Sequence, residues 1–182
     1  MNKKTLIVLS LFILIAALLV YFTFFKVKPE RPEPPFGKLK LSSPAFLPAG
    51  DIPAKYTCEG ENVNPPLVIE GVPQTAKSLV LLVEDPDAVR VFTHWLVWNV
   101  KPDTVRINEN SVPESAAVGV NGFGQAKYNG PCPPDSHRYS FKLYALNVTF
   151  DLSLTARKED LLKAMEGHVL EQAGLLGKYG RK

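Results

Sequence analysis

The pattern of apolar residues divides the chain into one long uncharged run and a series of shorter segments. Residues 5–25 contain no charged residue, and about 20 apolar residues are enough to span the hydrocarbon core of a bilayer. Two later runs, residues 78–84 and 94–100, are almost continuously apolar and rich in β-branched and aromatic residues, which is typical of strands buried on both faces. We therefore predict a membrane segment followed by a domain built around central β-strands.

Strict alternation predicts another strand from Tyr139 onward. One face carries the more apolar set and is expected to be the core face: Tyr139, Phe141, Leu143 and Ala145. His137 shares the parity of that face, so its imidazole is expected to point inward. The preceding loop contains three prolines, which fix φ and remove backbone donors, so the loop is expected to be a rigid wall beside the strand.

One helix is predicted, over residues 157–170, with two acidic residues in its first turn and one apolar stripe. Gly174 and Gly177 are expected to break it. Proline and glycine recur between residues 39 and 73, which favours short strands and long loops there. Many short strands and one late helix predict an all-β sandwich with minor helices.

Composition indicates three regions: a membrane anchor or signal segment at residues 1–27, a proline-rich linker at 28–36, and one domain at 37–182. The net charge is +3, but four lysines lie in the first 28 residues, and without them 17 basic residues face 18 acidic ones. No basic patch is interleaved with aromatic residues, so we expect no nucleic-acid partner.

The run at residues 5–25 is longer than the apolar core of a secretory signal, which is usually about 7–15 residues, and it ends without a small-residue cleavage motif. We therefore expect an uncleaved anchor. No acidic residue accompanies the two lysines before the run, and positively charged flanks usually stay on the cytoplasmic side. We therefore expect the domain after the run to lie outside the cytoplasm. Cleavage after a small residue such as Ala17 would instead leave a secreted domain in the same compartment.

Polar residues gather at the ends of the predicted central strands. Asp85 and Asp87 close one strand, His94 opens the next, and His137 and Tyr139 begin the third. Singly, each has an ordinary structural explanation, as a turn former or as a core histidine with a satisfied hydrogen bond. Together they indicate a small-ligand pocket, because ionisable groups buried side by side must pair with each other or with a ligand.

Several short motifs, spread over about residues 39–180, carry a family resemblance. They are Tyr56-Thr-Cys-Glu-Gly, Asn64-Pro-Pro-Leu, Asp85-Pro-Asp-Ala, His94-Trp, residues 119–124, Gly130-Pro-Cys-Pro-Pro and His137-Arg-Tyr-Ser-Phe-Lys-Leu-Tyr-Ala-Leu. In these motifs the chain resembles the phosphatidylethanolamine-binding proteins, specifically their prokaryotic Raf-kinase-inhibitor-like branch. Two departures alter the pocket rim: Val89 stands where the family usually has proline, and Asp135-Ser136 replaces a glycine-containing spacer.

The resemblance implies a Greek-key antiparallel β-sandwich and a final strand at residues 171–179 beside the pocket. It implies a small anion pocket for phosphate-bearing head groups or acetate-like anions, lined by Asp85, Asp87, His94, Pro134, His137 and Tyr139. It also implies that the protein could regulate a kinase or a protease.

The two cysteines, Cys58 and Cys132, are expected to form a disulfide, because an extracytoplasmic domain with two cysteines usually pairs them. One alternative is Cys132 as a nucleophile activated by His137, although no orienting third group is evident. Another is a zinc site formed by His94, His137, Asp85 and a cysteine, although no metal-ligand spacing supports it.

The resulting hypothesis is a non-enzymatic, membrane-tethered binding module without a cofactor or a metal. The alternatives are an acid–base hydrolase that uses the pocket carboxylates and histidines, and a protease inhibitor that acts through a surface loop. The sequence contains no Gly-x-Ser-x-Gly motif, which disfavours the hydrolase.

Arg138 is one residue out of phase with His137 and is expected on the opposite face of the strand, where it could pair with a loop carboxylate. Neighbouring aspartates are expected to raise the pKa values of the pocket histidines.

We expect residues 5–25 to remain on the mature protein, because the run is long enough to span a bilayer and lacks a cleavage motif. Amino-terminal sequencing of protein extracted from membranes should find the native start of the chain. A mature chain that begins near residues 20–30 would contradict the anchor and leave a secreted domain.

Overall fold

The computed structural model describes residue 2 and residues 37–181, and these contain eight β-strands, one α-helix and one 3-10 turn. The strands are β1 Lys40–Ser42, β2 Leu67–Glu70, β3 Ser78–Asp85, β4 Phe92–Val100, β5 Arg106–Ile107, β6 Ala117–Val118, β7 His137–Leu146 and β8 Val169–Tyr179. The helix α1 is Lys158–Met165, and the 3-10 turn is Ala54–Tyr56. No helix in this described part is long and apolar enough to cross a membrane, and the predicted span at 5–25 lies outside it.

The strands form two antiparallel sheets. The smaller has the order β1-β2-β5 and the larger the order β6-β4-β3-β7-β8. Apolar side chains of both sheets share one core, to which the smaller sheet contributes Leu41, Leu67, Ile69 and Ile107. The prediction of a mostly β fold with two packed sheets and one late helix is therefore confirmed.

The central strand β3 is buried at all eight positions, as its continuous apolar sequence predicts. Leu79, Leu81 and Val83 face the core between the sheets, which we call the inner face. Val80 and Leu82 face the opposite side, where they pack with residues of α1. Because both faces of β3 are covered, the residues at its end are already in the interior of the protein.

The helix is shorter than the sequence pattern predicts. It begins at Lys158 and ends at Met165, and Gly167 then adopts a left-handed φ of +79° that reverses the chain. Val169 and Leu170, predicted as part of the helical stripe, instead begin β8. The prediction of a helix to residue 170 was wrong because the apolar residues of the helix and of the following strand together fit a helical spacing.

Gly174 and Gly177 do not break a helix, which corrects a second expectation. Both lie within β8, which pairs with β7 along almost its whole length. A Cβ atom at Gly177 would lie 2.6 Å from Cγ1 of Ile52, so close packing requires glycine there. The expected final strand at residues 171–179 is confirmed as part of β8, which pairs with β7.

The expected disulfide is present between Cys58 and Cys132, whose Cα atoms are 5.4 Å apart. It connects the segment after the 3-10 turn to the proline-rich loop before β7. Backbone contacts support the same junction, since the Cys58 N–H donates to the carbonyl of Pro131 at 3.0 Å. With both cysteines paired, Cys132 cannot serve as a free thiol nucleophile, which removes that alternative.

We expect the double variant Cys58→Ser/Cys132→Ser to lose about 3–5 kcal/mol of unfolding free energy, because the disulfide closes a long loop in the unfolded chain. Chemical denaturation of wild type and variant would measure the difference. A reducing agent should lower the wild type to the level of the variant and leave the variant unchanged. Equal stability of the wild type with and without reductant would contradict a stabilising role.

Candidate functional site

The ends of three neighbouring strands bring the predicted site residues together on the inner face of the larger sheet. Asp85 ends β3, His94 lies near the start of β4, and His137 and Tyr139 begin β7. In β3, Asp85 continues the alternation of the inward-facing residues Leu81 and Val83. In β7, Tyr139 alternates in the same way with Phe141 and Leu143. Both side chains therefore face the core between the sheets. The convergence expected from the sequence is therefore present in the fold.

A β-bulge aims His94 into this cluster. Glu84 pairs with Thr93 but Val83 pairs with Trp95, which leaves His94 as the extra residue of β4. Strict alternation would put His94 and Trp95 on opposite faces. The bulge lets the His94 ring reach the Tyr139 ring, with centroids 5.3 Å apart, while Trp95 stays in the inner core.

The carboxylate of Asp85 accepts three hydrogen bonds and holds the cluster in place. One oxygen accepts the backbone N–H groups of Asp87 and Ala88 at 2.9 and 3.0 Å. The other accepts Nδ1–H of His137 at 2.7 Å. Because a carboxylate only accepts, the Nδ1 atom of His137 carries a proton and its Nε2 atom remains for another partner.

His94 is 4% exposed, and its Nδ1–H donates to the carbonyl of Asn129 at 2.7 Å. Burial lowers the pKa of His94 below its usual 6.5, although the Asn129 carbonyl and the charge of Asp85 oppose the shift. The expectation that the aspartates raise this pKa is wrong for His94, because desolvation outweighs their attraction. A neutral ring with a proton on Nδ1 presents Nε2 as a hydrogen-bond acceptor.

The Tyr139 hydroxyl is a buried donor without a hydrogen bond of good geometry among the described residues. Its residue is 1% exposed. Burial, and then the negative charge of nearby Asp85, raises the pKa of the phenol, so it keeps its proton at neutral pH. The hydroxyl lies near the Asp85 carboxylate without a hydrogen bond of good geometry to it, and an orphaned hydroxyl is costly.

Two phenylalanines, neither of which the sequence analysis selected, form the apolar walls around His94. The Phe92 ring lies 5.3 Å from the His94 ring and 4.7 Å from the Phe123 ring, in edge-on arrangements. Phe123 also contacts His94 directly, at 5.8 Å between centroids. An aromatic wall beside a few convergent polar groups is the usual composition of a small-ligand site.

Asp87 lies at the rim, where it pairs with Arg138 as the sequence led us to expect for a loop carboxylate. The guanidinium donates from Nε at 2.9 Å and from Nη2 at 2.5 Å, and the backbone N–H of Arg138 adds a third bond. These bonds hold the pKa of Asp87 well below its usual range. Asp87 is thus placed beside the cluster, with its charge engaged by Arg138 on the opposite side of the strand.

Pro134 lines a depression of about 660 Å³ with Pro53, Glu59, Tyr179 and Arg181, among others. Three further depressions, of about 240, 440 and 510 Å³, lie elsewhere. None of these four is lined by Asp85, His94, His137 or Tyr139. Pro134 therefore lines a depression to which these four residues do not contribute, and of the four only His137 is partly exposed, at 18% of its side chain.

Asn121 is a further residue that the sequence analysis did not single out, and it joins the elements that hold His94. Its side-chain amide donates to Oδ1 of Asn129 at 2.7 Å and to the carbonyl of Lys127 at 2.8 Å, and lies 3.3 Å from the carbonyl of His94. Its oxygen accepts the backbone N–H of Phe123 at 2.9 Å. Only 1% exposed, it fixes the loop that carries both the wall and the His94 acceptor.

Comparison with known proteins adds the family. The model described as phosphatidylethanolamine-binding protein matches residues 42–180. The chain belongs to the phosphatidylethanolamine-binding protein family. A UPF0098 protein from Methanothermobacter thermautotrophicus is 49% identical over 150 residues, covering 79% of this chain and 99% of its own length.

Solved structures agree with this assignment to the phosphatidylethanolamine-binding protein family. A Chlamydia trachomatis protein, described as a homologue of the family, superposes with a TM-score of 0.76 at 42% identity and covers 80% of this chain and 99% of its own. An E. coli protein described as a new member of the mammalian family gives a TM-score of 0.76 at 25% identity, covering 80% and 100% of the two chains. The resemblance inferred from the motifs is confirmed.

The zinc alternative finds no geometric support in this family fold. Within residue 2 and residues 37–181, no group of three or more histidine, cysteine, aspartate or glutamate side chains is arranged to hold a metal ion. Cys58 and Cys132, the only cysteines available for such a site, are joined to each other.

We expect Asn121→Ala to raise the pKa of His94 toward 6.5, because loosening the loop admits water and relieves the burial that lowers it. In the wild type, this depressed pKa makes stability fall as the pH drops below about 6.5, and the variant should lose part of that dependence. NMR titration of the three imidazoles would measure the shift.

Asn64→Ala is the matched control. Asn64 is also buried and bonds the carbonyl of Asn108 and the N–H of Ser111, in a different loop. Both variants should lose roughly 1–3 kcal/mol of stability, but only Asn121→Ala should move the pKa of His94. An equal shift in both variants would show that Asn121 acts on stability alone.

Proposed function

We propose that this protein is a non-enzymatic binding module that takes a small phosphate-bearing or carboxylate-bearing anion at the cluster of Asp85, His94, His137 and Tyr139. The family supports a small-ligand binding role. The observation that carries the proposal further is the buried Tyr139 hydroxyl, which has no well-formed partner although its ring lies beside the His94 imidazole. An acceptor atom of a ligand would satisfy this hydroxyl and offset the cost of its burial.

The polar groups of the cluster offer a defined set of donors and acceptors. Tyr139 donates through its hydroxyl. His137, anchored at Nδ1 by Asp85, can offer Nε2–H to an anion when its ring is doubly protonated, with Asp85 as its counter-charge. His94 is neutral and offers Nε2 as an acceptor. A ligand that carries both an anionic oxygen and its own proton fits this set best.

No lysine or arginine clamps the anion in this proposal. Arg138, the basic residue nearest in sequence, is bonded to Asp87 on the other side of the strand. The site is therefore suited to a singly charged group, such as a phosphate monoanion, rather than to a fully ionised one. A phosphate monoester has a second pKa of about 6, so its monoanion becomes scarce as the pH rises above neutrality.

The hydrolase alternative is weaker. The Asp85–His137 pair has the form of an oriented general base. However, no serine, threonine or cysteine side chain of residues 37–181 hydrogen bonds to either imidazole, and the two cysteines are joined in a disulfide. A turnover screen with ester and phosphoester substrates separates the alternatives, since sustained turnover that is lost in His137→Ala would contradict a binding role.

Regulation of a kinase or protease, and inhibition of a protease through a surface loop, stay predictions that rest on the family resemblance. Placement of the domain outside the cytoplasm also stays a prediction, which rests on residues 5–25 and their flanking charges. An inhibitor that acts through a surface loop should keep its activity in His137→Ala, whereas regulation through the site should not.

We expect Tyr139→Phe to weaken binding of phosphate or phosphoethanolamine by about tenfold or more, because a hydrogen bond to a charged group contributes roughly 1.5–3 kcal/mol. The same substitution should leave stability unchanged or raise it, since it removes an unsatisfied buried hydroxyl. Titration calorimetry and thermal unfolding measure the two effects.

Arg138→Ala is the control for this experiment, because its side chain lies on the same strand but outside the cluster. It should change affinity little, whereas His137→Ala should weaken it. Affinity for phosphoethanolamine, a phosphate monoester, should fall as the pH rises through about 6 and the monoanion disappears. Binding lost in Arg138→Ala but retained in both Tyr139→Phe and His137→Ala would place the anion on the other side of the strand.

A further inference from the structure

The Cys58–Cys132 disulfide is exposed to solvent, unlike most of the candidate site. Both cysteines are exposed residues, whereas Pro131 and Pro133, on either side of Cys132, are buried. A thiol in solution can attack an exposed disulfide, and exposed disulfides are typically the labile or regulatory ones. This disulfide is therefore within reach of a soluble reductant while the protein is folded.

The disulfide fastens the segment that orients His94. We call residues 128–132 the anchor segment, because they carry the acceptor that holds the His94 ring. The Asn129 carbonyl accepts Nδ1–H of His94 at 2.7 Å, and the Asn129 N–H donates to the His94 carbonyl at 3.2 Å. Cys132, three residues later, ties the end of the anchor segment to Cys58. The covalent bond is thus close in the chain to the group that positions one imidazole.

The other cysteine is connected to the second histidine of the site. Glu59, which follows Cys58, accepts a hydrogen bond from the Tyr179 hydroxyl. Tyr179 in turn pairs with His137 across β7 and β8. The disulfide therefore adjoins the contacts of both imidazoles.

The anchor segment continues into a proline-rich loop that has few backbone donors. Three of residues 131–134 are prolines, which lack an N–H group. The carbonyl of Pro131 accepts the Cys58 N–H at 3.0 Å. The carbonyl of Pro133 accepts Nε of Arg181, an exposed residue, at 2.8 Å. Hydrogen bonds that water can replace contribute little net stability, so the covalent bond is the firmest connection between this loop and the segment around Cys58.

We propose that the Cys58–Cys132 disulfide is a redox switch of the candidate site, closed in the form that binds the anion and opened by a dithiol. A thiolate of the dithiol attacks one cysteine sulfur and forms a mixed disulfide, while the other cysteine leaves as a thiolate and takes up a proton. The second thiol of the reductant then releases the protein. Two electrons and two protons pass to the protein, which gains two thiols, and the dithiol becomes a disulfide.

Opening the bond frees the end of the anchor segment, so the Asn129 carbonyl is held less firmly and the His94 ring loses its fixed orientation. The site then binds its anion less tightly. Closure in the binding form fits the predicted location outside the cytoplasm, where disulfides form and persist. The effect on affinity rests on the proposed function, whereas the effect on His94 does not.

Imidazole NMR of the full chain, without a ligand, tests the connection to His94. Reduction by dithiothreitol should shift the His94 signal and leave that of His168 in place. His168 is the internal control, because its Nδ1 bonds to Asn147, just beyond the far end of β7. The variant Cys58→Ser/Cys132→Ser should show the His94 signal of the reduced form and no response to dithiothreitol. An unchanged His94 signal after complete reduction would overturn the switch.

The accessibility of the disulfide is measured on the native protein. Treatment with dithiothreitol, followed by alkylation and mass spectrometry, should label both cysteines while far-UV circular dichroism stays unchanged. Cysteines that become alkylated only after the protein is unfolded would identify a purely structural crosslink and contradict the proposal.

Calorimetry with phosphoethanolamine measures the effect on binding. The reduced wild type and Cys58→Ser/Cys132→Ser should bind about tenfold more weakly than the oxidised wild type, as expected when one hydrogen bond to a charged group is misplaced. Reoxidation should restore the affinity of the wild type alone. Asn64→Ala, which weakens a different loop, controls for lost stability and should keep the affinity of the oxidised wild type.

The outcomes separate the switch from the proposed function. Equal affinity in the two redox states would overturn the switch, even if the His94 signal moves. Absence of binding by the oxidised wild type would overturn the proposed function, and a redox-dependent His94 signal would then still support the connection between the disulfide and the ring.

Discussion

The buried carboxylate of Asp85 is the constraint on which the site depends. A charged oxygen pair at the end of a strand covered on both faces must be satisfied by nearby donors, because water has little access to it. The turn after β3 supplies two backbone N–H groups, and β7 supplies the imidazole of His137. These bonds join the end of one central strand to the start of its neighbour and fix the tautomer of the histidine.

The same carboxylate leaves Tyr139 unsatisfied. The phenol lies near enough to Asp85 for that charge to raise its pKa, yet its oxygen has no hydrogen bond of good geometry. A protein that had evolved for stability alone would replace such a hydroxyl with an apolar ring. Its presence beside the His94 ring is the feature on which the proposed binding role rests. Proteins commonly tolerate a local loss of folding stability at functional positions.

Some loops around the cluster are held by buried or covalent bonds, and others are exposed to solvent. Asn121 and the disulfide hold backbone segments by bonds that are buried or covalent, so the walls of the site are rigid on the side of the core. Val89 and Phe123 are exposed instead, Val89 fully and Phe123 by half, with the Phe123 ring packed on Phe92 and His94.

The sequence by itself determined which strands are central and which side chains of β7 face inward. Continuous apolar runs predicted β3 and β4, alternation predicted the inward Tyr139 and the outward Arg138, and the cysteine count predicted the disulfide. These features follow from periodicity, burial and redox compartment, which are local or compositional. The motifs were also sufficient to identify the family.

Tertiary structure decided the features that depend on pairing between distant segments. The bulge at His94 exists only relative to β3, so no pattern within β4 reveals it. Desolvation of His94 results from walls supplied by three segments and reverses the effect expected from charges alone. The helix ended early because Val169 could pair with Leu146 of β7, an option that the helical spacing of residues 157–170 cannot show. In each case a long-range contact outweighed a local preference.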